Sequence, residues 1–217
     1  MLKKIFGKRD SNFIGFDKYK KKGAYHWQEI EKNVEYRSLI QVVEKYLKPT
    51  HEVLDIGCGD GAYLGFISGK IKSGEGVDAD KTAAQLASEM FRKKSINNCT
   101  AQNLTIKEAR AHFMQNSKKF DIIWSMDVIE HLPDPNELID TMLDLLKENG
   151  SALIGTPLFI TEELKSPYHV KEFSRSEISG MLTKRAILVD EIVLPHTRKD
   201  KTTYTEGYYI GLIKKNN

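Results

Sequence analysis

Glycine falls at every second position of Gly57-Cys58-Gly59-Asp60-Gly61, directly after the largely apolar run Val53-Leu54-Asp55-Ile56. That run has the length and composition of a buried strand, and a helix-like stretch opens at Ala62. The chain must therefore leave a strand, turn sharply, and enter a helix. Glycine permits the required dihedrals and lets the backbone approach a ligand closely. The helix start behind it offers unpaired N–H groups and a positive dipole end to an electron-rich group. This feature predicts an α/β chain with a ligand loop at a strand's C-terminal end.

The flanking sequence repeats the alternation. Gln28 to Lys48 predicts one amphipathic helix, with Ile30, Val34, Val43, Tyr46 and Leu47 near the helical period and Pro49 as its stop. Strand-like runs follow at Val53–Ile56, Gly76–Asp78, Thr100–Leu104, Ile122–Ser125 and Ala152–Gly155, with helical stretches between them. One of these, Lys81–Lys94, places Ala84, Ala87, Met90 and Phe91 on a single face. Asp134-Pro135 supplies an N-cap and a helix-ready proline, with Gly150 expected to end that helix. Such alternation calls for a Rossmann-like, doubly wound, mostly parallel sheet with helices on both faces. Beyond Pro157 a loop from Leu158 to Phe173 leads to the capping box Ser174-x-x-Glu177. Ala186–Leu194 and Gly207–Ile213 then read as a closing pair of strands.

Composition bounds the class. At 217 residues, with 40% hydrophobic and 29% charged residues, the chain suits one globular domain. No apolar run approaches the roughly 20 residues that span a membrane. Leu2 to Gly7 is too short and charged for a signal-peptide core. Two cysteines, Cys58 and Cys99, are no disulfide framework, and a reducing cytoplasm is expected. Charge is uneven: residues 1–22 hold Lys3, Lys4, Lys8, Arg9, Lys18, Lys20, Lys21 and Lys22 against Asp10 and Asp17, a net +6. That leaves −3 for the rest of a chain totalling +3. We read 1–22 as a basic arm that could meet an anionic small-molecule acceptor or nucleic acid, and 23–217 as a single domain.

Gly57-x-Gly59-x-x-Ala62, with Asp78 downstream, also satisfies the permissive dinucleotide fingerprint, so an NAD-binding oxidoreductase is one reading. Asp55 argues against it. A carboxylate ahead of the glycines would repel a pyrophosphate but accept a cofactor bearing an ammonium and a sulfonium. The segment Val53 to Gly61 resembles motif I of the class I S-adenosylmethionine (SAM) methyltransferases. Gly76-Val77-Asp78-Ala79-Asp80 resembles their second motif, and Phe120 to Pro133 their fourth-strand motif. The similarity spans roughly Glu52 to Pro157.

That resemblance implies a seven-stranded sheet ending in an antiparallel C-terminal hairpin, with an N-terminal lid helix. It also implies that Asp55 and the Gly57-Cys58-Gly59 backbone hold the methionine part, and that Asp78 and Ala79 hold the ribose. Asn103, where the family usually has Asp, would sit near the adenine amine with Leu104 beside it, and Met126 and Asp127 would complete the cofactor wall. Cys58 is read as a small packing residue rather than a nucleophile.

Asp127-x-x-Glu130-His131 follows the fourth strand, whose C-terminal end faces the ligand crevice of open α/β sheets. His131 and His169, the latter in Pro167-Tyr168-His169, are the candidate general bases, because imidazole titrates near neutral pH. Similar Glu-x-x-Glu-His sets ligate a divalent metal in ubiquinone-biosynthesis O-methyltransferases and small-RNA 2′-O-methyltransferases, so Asp127, Glu130, His131 and His169 form an alternative metal set. Tyr25-His26-Trp27 reads either as a lid cluster or as core packing at a helix entrance. His51, His112 and His196 are expected at the surface; Arg37, inside the first helix, is a candidate partner for the SAM carboxylate, though a surface position is the commoner fate of a helical arginine. The resulting expectation is methyl transfer to a hydroxyl or carboxylate oxygen of a small molecule, a sugar or surface-glycan precursor being favoured by the resemblance of the Pro167–Ser174 stretch. RNA ribose methylation and non-catalytic SAM binding are the alternatives.

Overall fold

The computed structural model describes residues 18–216. Most of the basic arm, residues 1–17, lies outside the described residues. Seven strands form one sheet: β1 (Glu52–Ile56), β2 (Ser73–Asp78), β3 (Cys99–Asn103), β4 (Phe120–Met126), β5 (Leu146–Pro157), β6 (Ile187–Thr197) and β7 (Thr203–Lys214). Their spatial order is β3-β2-β1-β4-β5-β7-β6. β1 to β5 pair in parallel, while β7 runs antiparallel to both β5 and β6.

The alternation of side chains across each strand divides the core into two layers. Leu54, Ile123 and Ile154 pack on one face with Phe113, Leu138 and Ile178. Val53, Trp124 and Leu153 pack on the other with Trp27, Val43, Leu64 and Phe91. The second face is covered by α2 (His26–Lys32), α3 (Val34–Glu44), α4 (Ala62–Ile67) and α5 (Lys81–Lys93), and the first by α6 (Ile106–Gln115), α7 (Pro135–Leu145) and α8 (Arg175–Thr183). A doubly wound sheet with its C-terminal hairpin is thus observed.

Several element expectations are corrected. The helix read from Gln28 to Lys48 is two helices, broken at Asn33, whose extended backbone and side-chain oxygen cap α3 through the Glu35 N–H. Asn competes well for a cap and poorly for a helix interior. α7 opens at Asp134-Pro135 as expected but ends at Leu145, and β5 starts at once, so Gly150 lies within a strand rather than at a helix end. The described end of the basic arm forms α1 (Lys18–Lys22), whose Tyr19 is buried against Gly59.

Candidate functional site

β1 and β4 lie side by side, with the remaining strands wound outward from them in opposite directions, and such a switch point leaves a crevice beyond the strand ends. A cavity of about 370 Å³ opens there. Asp55, Gly57, Cys58, Gly59, Met126, Asp127, His131 and His169, all singled out from the sequence, line it together.

Asp55 is 3% exposed, and its Oδ2 has no hydrogen-bond partner among the described residues. Burial, with the charge of Asp78 adding to it, pushes its carboxyl up to about 8. The loop that follows leaves no room for side chains. Gly57 and Gly59 have φ of 79° and 56°, and a Cβ on Gly57 would run into Val128, one on Gly59 into the Tyr19 hydroxyl. An orphaned buried carboxylate beside a bare backbone loop fits a ligand carrying an ammonium group, as SAM does. Cys58 is buried, and burial pushes its thiol far up.

The residues assigned to ribose and adenine stand at the adjoining ends of β2 and β3. Asp78 Oδ2 accepts the Gly59 N–H at 2.8 Å and Oδ1 accepts the Asp80 N–H at 2.7 Å. Burial raises its pKa to about 6 although both donors favour the charged form. Asn103 donates its amide to the carbonyls of Asp78 and Ala79, and the Leu104 N–H donates to the Asp78 carbonyl. Asp78, Ala79, Asn103 and Leu104 therefore brace the adjoining ends of β2 and β3 beside the glycine loop.

Asp127 has φ of 57°, a left-handed backbone that costs a non-glycine residue about 1 kcal/mol or more. Its N–H is held by the Gly155 carbonyl at 3.1 Å. The turn sets its carboxylate among Tyr25, Tyr36, Tyr63 and Tyr208, whose phenols are raised first by burial and further by the Asp127 charge. Glu130 is buried. Its Oε2 accepts from Thr156 at 3.0 Å, its Oε1 has no partner among the described residues, and burial with the nearby Asp127 charge pushes its carboxyl well above the usual range.

The two histidine rings stand edge to face, 4.8 Å between centroids. His131 Nδ1 donates to the Tyr168 carbonyl at 2.8 Å, and burial holds its pKa down. His169 Nδ1 lies 2.7 Å from Glu172 Oε1, and Glu172 is paired in turn with Arg198. Ligand atoms of Glu130, His131 and His169 all lie within 4.8 Å of one another, close enough to hold a divalent cation. Asp127 stands outside that group.

The Tyr25-His26-Trp27 cluster divides between its two readings. Trp27 is core: it is 4% exposed, donates to the Asp60 carbonyl at 2.9 Å, and fills the space that Gly65 leaves. Tyr25 and His26 line the cavity, and the His26 N–H donates to buried Asp60. One other expectation fails. His196, read as a surface residue, lines the cavity 3.4 Å from Glu35, because a strand of the hairpin carries it there. Arg37 is exposed, bonds the Glu31 carbonyl, and does not line the cavity. Sequence reasoning missed Glu172, Arg198, Tyr63 and Tyr208. Only Glu172 had a local signal, its i+3 spacing from His169.

A family model described as a methyltransferase domain matches residues 27–185. The chain is similar to a ubiquinone biosynthesis O-methyltransferase from Glaesserella parasuis, 35% identical over 106 residues covering 48% of this chain and 44% of the relative. It is also similar to one from Pelagibacter ubique, 31% identical over 137 residues covering 63% and 53%. The chain spans about half the length of these curated relatives. Among solved structures it resembles the YcgJ protein from Bacillus subtilis (TM-score 0.64, 19% identity, 83% of this chain and 100% of that one). It also resembles the N-methyltransferase NodS from Bradyrhizobium japonicum bound to S-adenosyl-L-homocysteine (TM-score 0.63, 16% identity, 87% and 91%). With its motif order, sheet order and orphaned Asp55 all in agreement with that match, the chain belongs to the SAM-dependent methyltransferase-domain family.

Proposed function

We propose that this chain methylates an oxygen of a small molecule, with His169 as the general base. The observation that carries the reading is the juxtaposition of the His169 and His131 rings in the same cavity as Asp55 and the glycine loop. When bound, SAM supplies a methyl group activated by its sulfonium. Asp55 would accept from the ammonium and the loop backbone would hold the methionine part. With the C–S electron pair left on sulfur as the methyl is given up, the acceptor's hydroxyl proton would pass to His169 Nε2 and then to water. A base of this kind contributes about 10²–10⁴ in rate. The curated relatives are named as O-methyltransferases, which supports oxygen over nitrogen. The cavity's volume of about 370 Å³ supports a small acceptor, and its tyrosine-rich wall suits a sugar ring or a phenol. Two free, buried cysteines favour a reducing compartment, the cytoplasm.

Transfer of labelled methyl from SAM should be screened over phenols, nucleotide sugars and short RNAs. Acceptance by RNA alone would overturn the small-molecule reading. His169→Ala should lower kcat by about 10²–10⁴ while S-adenosylhomocysteine binding changes little. A second reading rests on the closeness of Glu130, His131 and His169: these residues would hold a divalent cation, which would acidify the hydroxyl in place of a base. Loss of activity with a chelator, restored by Mg²⁺ or Zn²⁺, would select it.

A further inference from the structure

We propose that Glu172, held by Arg198, is a positioning residue that fixes the tautomer and orientation of His169, turning the unprotonated Nε2 toward the cavity. The proposal rests on the reading of His169 as the base. Glu172 comes from the loop after β5, and its side chain is fully buried. Burial disfavours its charge, but the Arg198 guanidinium donates to both of its oxygens and the Ser166 N–H donates to Oε1 at 3.2 Å, contacts that hold it as a carboxylate. An ionised carboxylate can only accept. The 2.7 Å contact therefore places a proton on His169 Nδ1 and, in the neutral ring, leaves the lone pair on Nε2 at the far edge of a ring that lines the cavity.

Arg198 makes the arrangement rigid. It reaches across from the turn between β6 and β7 and forks onto Glu172, 3.2 Å to Oε1 and 3.0 Å to Oε2, while also donating to the Leu158 carbonyl. A buried charge is tolerated only when paired and hydrogen-bonded, and the bidentate guanidinium meets that need for the Glu172 carboxylate, while Arg198 Nε itself has no partner among the described residues. A clamp between loop and hairpin would need only Glu172 and Arg198. The geometry gives Glu172 Oε1 a third role, because it also receives His169. His131, by contrast, donates Nδ1 to a neutral carbonyl.

The test is ¹⁵N NMR of the full chain labelled at histidine, in chelator and with S-adenosylhomocysteine bound, the His169 signals being identified by their loss in His169→Ala. The parent should show His169 protonated at Nδ1. In Glu172→Ala those signals should move toward the Nε2-protonated form, with S-adenosylhomocysteine affinity unchanged within about twofold, since Glu172 does not line the cavity. With whichever acceptor the methylation screen finds, Glu172→Ala should lower kcat about 10–100-fold at nearly constant KM. In a His169→Ala background it should produce no further loss. Glu172→Ala leaves Arg198 buried and unpaired, so the paired change Glu172→Met/Arg198→Met serves if the single variant does not fold. An unaltered His169 spectrum, or an equal loss in both backgrounds, would overturn the proposal. Full activity of His169→Ala would instead overturn the base reading, leaving the tautomer result to be judged by NMR alone.

Discussion

Asp55 shows how a single residue trades stability for binding. In the free chain its carboxyl is raised to about 8 by burial, whereas an unfolded Asp titrates near 3.8. A raised folded pKa means that this group's contribution to stability is complete below pH ~4 and is lost as pH rises through about 8. Asp55→Asn removes that dependence. Its cofactor-free Tm should stand progressively further above the parent's from pH 5 to pH 8, while its affinity for S-adenosylhomocysteine falls. In the parent, an ammonium ligand should displace the proton, so calorimetry at pH 7 in buffers of different ionisation enthalpy should register about one proton released per ligand bound. No dependence on the buffer would show that Asp55 is already ionised or that the ligand does not meet it. Asp55, Gly57 and Gly59 were legible in the sequence because strand, turn and helix follow one another within nine residues. Glu172 and Arg198 were not, since their meeting depends on two loops brought together only by the sheet.

Elements were legible where a residue's local chemistry has one use, and misread where it has two. Ser174-x-x-Glu177 and Asp134-Pro135 appear as the caps the sequence announces. Asn33 was absorbed into a continuous helical period, although its side chain competes for the backbone and divides α2 from α3. The division matters because it lets α2 lay Trp27 and His26 on the glycine loop through Asp60, while α3 carries Tyr36 and Glu35 to the cavity. Asn33→Ala should therefore cost about 1 kcal/mol in chemical denaturation, the usual value of a lost N-cap, lowering Tm by a few degrees. It should weaken ligand binding less than Trp27→Ala, which leaves a cavity under the loop. Equal losses in stability without any effect on S-adenosylhomocysteine affinity would mean that the α2–α3 break plays no part in placing the site.

At the scale of the whole molecule, the family match ends at residue 185, yet the hairpin beyond it is part of the same structure. β7 inserts between β5 and β6, and its Tyr208, Tyr209, Ile210 and Ile213 are almost fully buried, alternately on the two faces of the sheet. The same hairpin delivers His196, Arg198 and Tyr208 to the cavity, so the site cannot be completed by residues 27–185 alone. This coupling was invisible to motif reading, because a closing hairpin carries no ligand-binding signature and its polar residues look like surface. It can be tested by two substitutions in one hairpin. Ile210→Ala empties a fully buried position in an interior strand and should cost about 2–5 kcal/mol in urea unfolding, in a single transition shared by every spectroscopic probe. Ile187→Ala, at the outer edge where the side chain is 47% exposed, should stay within about 0.5 kcal/mol of the parent. Were Ile210→Ala to melt the hairpin in a separate early transition while the remaining sheet held its midpoint, the hairpin would be an appendage, and the cavity would have to function without Arg198.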